Sequence, residues 1–484
     1  MIAGAFPGAA NRVAYKRPHR AAPNRRAEFI RGRARPVDAP FGVGMSNETP
    51  ADPWPLVRAL PAGSRIELRT GDGRRYLGTL VPNPVAQGDR ILQLKLDSGY
   101  NVGVRIDPTT SFDLLAAPAR TAPPSVAAGS AAPPALSSET PWVSVLTTGG
   151  TIASRVDYET GGVRPVQGEA EILAFYPELG RSGPVRIQTV LDRLSEDIQP
   201  ADWVTLADHV VGAFRAGARG VVIAHGTDTL SYTAAALSFL LADLPGPVVL
   251  VGAQRSPDRP SSDGPSNLHA AVEVARRAAL GEVVVVMHAG LSDTEFAIHR
   301  GNWVRKMHAS RRDAFQSRNG PPLGSVRDDR ITVEPWARGP QPGPARHEGP
   351  IDTRAALLWF YPGLRPETAE AIVRGARGVV IAGTGLGHVA ALHLPWIRAA
   401  VADGRVVAMT TQCLAGRVDP YVYATGRELA RAGVLYLDDL LPETAYVKML
   451  WALGRAGAPE EVRALLAADR AGESLPRRTV RGDA

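Results

Sequence analysis

The sequence predicts an α/β chain of two similarly built lobes with parallel sheets, preceded by a small SH3-like β-barrel module. Three observations carry this. From Trp142 onward, apolar runs alternate with helical stretches, as expected of strands buried on both faces and joined by crossover helices. The heptapeptide Ala-Arg-Gly-Val-Val-Ile-Ala occurs at 218–224 and again at 376–382, each time where a helix ends and a buried strand opens. Residues 63–106 alternate polar with apolar over short runs separated by turn residues, as half-buried antiparallel strands do.

The elements follow in order. Residues 1–44 hold nine Lys/Arg against Glu28 and Asp38, which is the whole net charge of +7. They show no apolar periodicity, so 1–58 reads as a disordered basic tail. Two readings of it stay open: a phosphate-binding arm, or an over-long start with Met45 as the alternative. In the module, 59–116, residues 65–69 alternate, Gly71-Asp72-Gly73 turns, and 76–81 returns. Residues 91–96 alternate again before a turn at Asp97-Ser98-Gly99 leads into 100–106. Residues 117–140, almost all Ala, Pro, Ser and Thr, form a linker. The first lobe, 141–338, has strands at 143–146, 220–224, 248–251 and 283–287. A Pro/Gly-rich linker at 339–350 leads to the second lobe, 351–484, with strands at 355–360, 378–382 and 406–409.

Composition narrows the function. Hydrophobic residues make up 44% and charged residues 21%, as in an ordinary soluble globular protein. No apolar run approaches the ~18 residues of a membrane span, and no signal-peptide core is visible. Cys413 is the only cysteine, which excludes an internal disulfide and fits a reducing, cytoplasmic setting. Beyond residue 44 the chain has 46 basic and 46 acidic residues, so its pI of 9.7 does not mark a nucleic-acid-binding face on the lobes.

Three motifs carry chemistry. An apolar strand runs into Leu146-Thr147-Thr148-Gly149-Gly150-Thr151-Ile152-Ala153. In α/β sheets ligands bind beyond the carboxyl ends of strands, glycines let the backbone approach them, and a threonine hydroxyl there is a candidate nucleophile. A second buried strand ends in His225-Gly226-Thr227-Asp228-Thr229 before a helix, where backbone donors stabilise negative charge; alternatively Thr227 or Thr229 only caps that helix. The third is Arg300-Gly301-Asn302-Trp303-Val304-Arg305-Lys306-Met307-His308. Lys306 would usually be a solvated charge, but buried in a site a neutral amine can accept a threonine proton. No P-loop occurs. His225, His299 and His308 are scattered without metal-ligand spacing, so no metal site is expected.

Together these motifs, with Thr151 and Thr227 76 residues apart, resemble the L-asparaginase/glutaminase family over about 142–455. The resemblance implies a two-lobed asparaginase-like fold in which Thr151 is the first nucleophile. Thr227, Lys306 and Asp228 would form a second triad of hydroxyl, base and orienting carboxylate. Ser195 and Glu196 would grip the substrate's α-carboxylate and amine, beside Gly150 and Gly226. Tyr158 is the candidate for the family's flexible-loop tyrosine. The acidic residue that bacterial asparaginases borrow from a neighbouring subunit has no match in the second lobe.

Further segments are similar to the D-subunit family of archaeal-type glutamyl-tRNA(Gln) amidotransferases. They are Val251-Gly252-Ala253-Gln254-Arg255-Ser256, Ser310-Arg311-Arg312-Asp313-Ala314-Phe315 and Leu441-Pro442-Glu443-Thr444-Ala445-Tyr446-Val447-Lys448, together with the N-terminal β module. That resemblance implies a glutaminase supplying ammonia to a partner E subunit. The partner would bind tRNA(Gln) and use ATP and Mg²⁺, with no cofactor on this chain. A homodimer of this chain within a heterotetramer is implied, with glutamine as the small-molecule substrate. The alternative is a stand-alone asparaginase.

Overall fold

The computed structural model describes residues 52–61, 63–80, 90–96, 101–116, 141–149, 154–156, 163–165, 176, 179, 183–255 and 262–475. The basic stretch 1–44, the expected turn at 97–99 and the linker 117–140 lie outside them. Among the described residues the N-terminal module is a five-stranded antiparallel sheet. Its order is Asn101–Arg105, Ile91–Leu96, Arg75–Leu80, Arg65–Arg69, Ser111–Ala116. Alternation does what the sequence predicts: Ile66, Leu68, Leu92 and Leu94 turn inward with Val104 and Ile106, while Arg65 and Glu67 stay partly exposed. Gly73, at φ +81, closes the first hairpin; such a φ costs a residue with a Cβ about 1 kcal/mol. The short helix Trp54–Arg58 is an addition to the sequence reading, which allows four or five strands and leaves the fifth, Ser111–Ala116, unplaced. That helix falls inside the stretch 1–58 expected to be a disordered tail. Its Val57 is wholly buried in the module's apolar cluster, so the module starts before residue 59.

The first lobe is built on an eight-stranded sheet. Its order is Arg330–Val333, Gly324–Arg327, Glu295–Arg300, Val283–His288, Val248–Val251, Ala218–Ala224, Trp142–Thr147, Val185–Thr189. The last five of these pair in parallel; the first three add an antiparallel meander. The parallel strands are largely buried, with Arg219 exposed and Trp142 half-buried, whereas the edge strand Val185–Thr189 is mostly exposed. The helices Pro200–Arg215, Leu230–Leu240 and Gly264–Arg277 pack on the sheet. Strand Trp142–Thr147 is followed by a neighbour on one side, Val185–Thr189, and then by Ala218–Ala224 on the other. The direction of winding therefore reverses there, opening a crevice at the carboxyl ends of these strands.

The second lobe has a four-stranded parallel sheet, ordered Ala355–Trp359, Gly378–Gly383, Val406–Thr411, Leu435–Tyr436. Helix Pro442–Arg455 crosses back to pack against Leu230–Leu240 and against strand Gly378–Gly383. One apolar core consequently includes Leu237, Phe239, Trp451, Met449, Val380 and Val406. The stretch 339–350, expected as a linker, is docked: Arg346–His347 pairs with Leu241–Ala242, and Glu348 is buried against Arg470. No helix among the described residues is long and apolar enough to cross a membrane.

Candidate active site

Among the described residues, the crevice at the winding reversal brings together Ser195, Glu196, Thr227, Asp228 and Lys306. Thr148 donates from its backbone N to the Ala224 carbonyl (3.0 Å), and Arg193 N donates to the Thr148 carbonyl (2.9 Å). Gly149 follows at φ +93. A Cβ there would lie 2.5 Å from the Arg193 carbonyl oxygen, so only glycine lets the chain pass. Gly150, Thr151 and Tyr158 lie outside the described residues.

From the neighbouring strand, His225, Gly226, Thr227 and Asp228 lead into helix Leu230–Leu240. Gly226 packs so tightly on the next loop that a Cβ would sit 2.8 Å from Ser195 Cβ. Thr229 Oγ1 donates to the Ser195 carbonyl (2.5 Å). These contacts hold Ser195 and Glu196 beside the Thr227 loop. Ser195 is buried, and its hydroxyl donates to Glu196 Oε2 (3.3 Å). Thr229 holds the N-cap position of helix Leu230–Leu240 but makes no side-chain cap hydrogen bond there; its hydroxyl pins the neighbouring loop instead.

Lys306 arrives from the antiparallel side of the sheet. It ends a short strand, Val304–Lys306, paired with Phe315–Ser317. Its Nζ donates to Thr227 Oγ1 (2.8 Å) and to Asp228 Oδ1 (2.7 Å). The lysine side chain is 12% exposed and the Asp228 carboxylate 69%, so the hydroxyl–amine contact is sheltered while the carboxylate faces outward. Two adjacent loop residues and a lysine from a distant strand thus meet within proton-transfer distance.

His225 serves this site without entering it. Its ring is buried, Nδ1 faces the Gly226 carbonyl (2.7 Å) and Nε2 faces Thr233 Oγ1 (2.9 Å). Thr233 also accepts from Trp203 Nε1 (3.1 Å). A carbonyl can only accept, which places the ring proton on Nδ1. Burial pushes the His225 pKa down to about 4, and the neutral ring acts as a strut under Gly226.

The sequence motifs do not reveal the buttress behind Lys306. Arg305 Nε pairs with Glu443 Oε1 (2.9 Å) at the start of helix Pro442–Arg455. Thr444 Oγ1 donates to the Asn302 carbonyl (2.8 Å). Tyr232, in the first turn of helix Leu230–Leu240, has its pKa pushed up to about 12, by burial first and by the Glu443 carboxylate second. No local spacing links residues 305 and 443; only the tertiary fold does. Among the described residues no group of three or more His, Cys, Asp or Glu is arranged to hold a metal.

Comparison with known proteins sets this geometry in a family. Residues 142–337 match the Asparaginase, N-terminal model and 354–466 the Glutaminase/Asparaginase C-terminal domain model. Residues 60–115 match the GatD N-terminal domain. The D subunit of glutamyl-tRNA(Gln) amidotransferase from Saccharolobus islandicus (strain M.16.27) is 45% identical over 422 residues, spanning 86% of this chain and 94% of that protein. The chain belongs to the D-subunit family of glutamyl-tRNA(Gln) amidotransferases. The D subunits of Saccharolobus solfataricus, 44% identical over 86% of this chain and 94% of theirs, and Sulfurisphaera tokodaii, 42% identical over 85% and 91%, agree with this. Among solved structures, the thermostable L-asparaginase from Thermococcus kodakarensis matches at a TM-score of 0.63 and 35% identity, covering 69% of this chain and all of that one. L-asparaginase I from Vibrio cholerae matches at 0.61 and 30%, covering 69% and 99%. Membership of the D-subunit family thus adds a β module, here residues 60–115, to an asparaginase-like body.

Proposed function

We propose that this chain is the glutaminase subunit of a tRNA-dependent amidotransferase, releasing ammonia from glutamine for conversion of Glu-tRNA(Gln) to Gln-tRNA(Gln) in protein biosynthesis. What carries the reading is one chain that joins the family's N-terminal module to a Thr227–Lys306–Asp228 constellation.

In the proposed chemistry Thr151 attacks the side-chain amide carbon, its hydroxyl proton passes to the departing nitrogen, and the C–N bond breaks to leave an ester and ammonia. Thr227 and Lys306 then activate the water that hydrolyses the ester: Lys306, as neutral amine, accepts the Thr227 proton while Thr227 takes one from water. The protons return as the carboxylic acid and Thr151 hydroxyl are restored. Asp228 orients Lys306 and faces the substrate ammonium. Ser195 and Glu196, held against Gly226, grip the remaining α-groups, with Gly150 and Tyr158 completing the near side. An E subunit in the cytoplasm would bind tRNA(Gln), ATP and Mg²⁺, with two copies of this chain in a heterotetramer.

Steady-state ammonia release tests the proposal. The isolated chain should hydrolyse glutamine slowly, and adding an E subunit with charged tRNA should raise kcat by more than about tenfold, or ~1.4 kcal/mol in the barrier. Full activity on asparagine alone, indifferent to partner and tRNA, would instead support a free asparaginase, the activity for which the matching solved structures are named.

A further inference from the structure

A chain of hydrogen bonds that the proposed chemistry does not use joins the two sides of the Thr227–Lys306 contact. Its inner end is Gly252, which closes on the threonine so tightly that a Cβ would lie 2.7 Å from Thr227 Cγ2. The Gly252 carbonyl accepts from Asn267 Nδ2 (3.0 Å), and the same nitrogen donates to Asp263 Oδ2 (3.1 Å). Asp263 in turn accepts from the backbone of Gln254 and Arg255, both at 2.9 Å. With its nitrogen so engaged, Asn267 turns its oxygen to His288 Nδ1 (2.6 Å). The other ring nitrogen, Nε2, meets Asp293 Oδ1 (2.8 Å). Asp293 also accepts from Arg312 Nη1 (3.0 Å) and Ser266 Oγ (3.2 Å). Arg312 lies in the loop that leaves Lys306 and returns to the paired strand, closed by Met307 N donating to the Ala314 carbonyl (2.6 Å).

His288 joins the buried and exposed halves of this chain. Its side chain is 0% exposed, whereas Asp293 is 58% exposed. Ser266 offers a longer bypass: its single hydroxyl proton is shared between Asp293 and the Asp263 carbonyl (3.3 Å), so it can serve only one of them at a time. The His288 ring packs edge-on against Phe296, centroids 4.8 Å apart, which fixes its plane. Both ring nitrogens face acceptors, the Asn267 oxygen and the Asp293 carboxylate; donating to both at once takes the two N–H groups of an imidazolium, and in that form the ring is a rigid two-ended strut. An apolar ring there would keep the packing and lose both ends.

We infer that His288 is a positioning residue for amide hydrolysis, holding the loop after Lys306, and with it the amine, in register with Gly252 and the Thr227 hydroxyl. Asp293 is its outer anchor. The inference rests on the roles proposed above for Thr227 and Lys306.

Two substitutions in the full-length chain test it, with rates taken per folded molecule well below the melting point. His288→Phe keeps the volume and the Phe296 contact and removes both hydrogen bonds. Asp293→Ala alters only the exposed end, where the fold has little to lose. The readouts are kcat and KM for the amide that the unsubstituted chain hydrolyses, with Tm alongside. His288→Phe should lower kcat at least 30-fold and leave KM within threefold. Asp293→Ala should lower kcat at least fivefold with Tm unchanged. Asp293→Asn, which retains an acceptor oxygen for the ring, should restore most of that loss. The double substitution should be no slower than His288→Phe alone, because both act through one strut. A fall in Tm with kcat preserved, or a rise in KM with kcat preserved, would overturn the inference. If the unsubstituted chain hydrolyses neither glutamine nor asparagine, the reading of the site itself falls and takes the strut with it.

Discussion

Both lobes build a central strand from Ala-Arg-Gly-Val-Val-Ile-Ala, and only the first copy opens onto the proposed chemistry. In the first lobe Ala218–Ala224 lies between Trp142–Thr147 and Val248–Val251. In the second, Gly378–Gly383 lies between Ala355–Trp359 and Val406–Thr411. Both are buried and parallel to both neighbours. They part at the next residue. The first copy continues into His225, Gly226, Thr227 and Asp228 and enters a helix at Leu230, leaving a hydroxyl and a carboxylate for Lys306. The second closes on itself: Thr384 N donates to the His388 carbonyl and His388 N to the Thr384 carbonyl, both at 2.9 Å. No α-helix follows until Leu394. The strand fixes where a loop emerges, and the loop decides whether its polar groups look inward or toward a substrate.

The hydroxyl itself should separate the two copies most. Thr227→Val keeps shape and β-branching, so it should fold normally and lose amide hydrolysis by about 10³-fold or more, roughly 4 kcal/mol in the barrier. Lys306→Arg should fail similarly, since a guanidinium cannot act as the base. Ammonia release by a folded Thr227→Val chain at an undiminished rate would remove the triad assignment.

Acid should act on the first lobe through two buried rings. Burial lowers both His225 and His299 to about 4, against ~6.5 in an unfolded chain. Protonation thus favours unfolding. The stability is complete above pH ~6.5 and drains as pH falls toward 4, by up to about 3 kcal/mol per ring. His299→Gln, judged by Tm against pH, should flatten that slope across this window; an unchanged slope would show that other groups govern acid unfolding.

The two loops also use glycine differently, and the same substitution separates them. Gly226→Ala drives a Cβ against Ser195 and should displace the Ser195–Glu196 loop proposed to hold the substrate, raising KM about tenfold or more, or ~1.4 kcal/mol. Gly385→Ala meets nothing within 4 Å but sits at φ +52. It should cost about 1 kcal/mol of stability by denaturant titration and leave hydrolysis unchanged. Equal effects on hydrolysis would mean that both loops serve the reaction.

What is legible in the sequence is what is local. Val221, Val222 and Ile223, or the run Val283–Val286, announce buried parallel strands because all their side chains are apolar. The meander Glu295–Arg300, Gly324–Arg327 and Arg330–Val333 escapes such a reading because its short strands mix charge with apolar residues. Edge strand Val185–Thr189 is largely exposed and has the same weakness. Thr227, Asp228 and Lys306 are legible because motif residues mark them, although their approach within 2.8 Å is not. Asn267, His288 and Asp293 leave no local signal, and Arg312, although it lies in the Ser310–Phe315 segment that carries the resemblance, is tied to them only through hydrogen bonds.

The helix Leu230–Leu240 begins immediately after the Thr227–Asp228 loop and is buried on nearly every side. Its Phe239 ring lies 5.9 Å from Trp451 of helix Pro442–Arg455, which itself packs on the second sheet. Neither sheet can shed its cover without stripping apolar surface from the other. Calorimetry should therefore record one melting transition for the two lobes, with van't Hoff and calorimetric enthalpies in agreement. Heat would then silence the amide chemistry only at the point where the second sheet also comes apart.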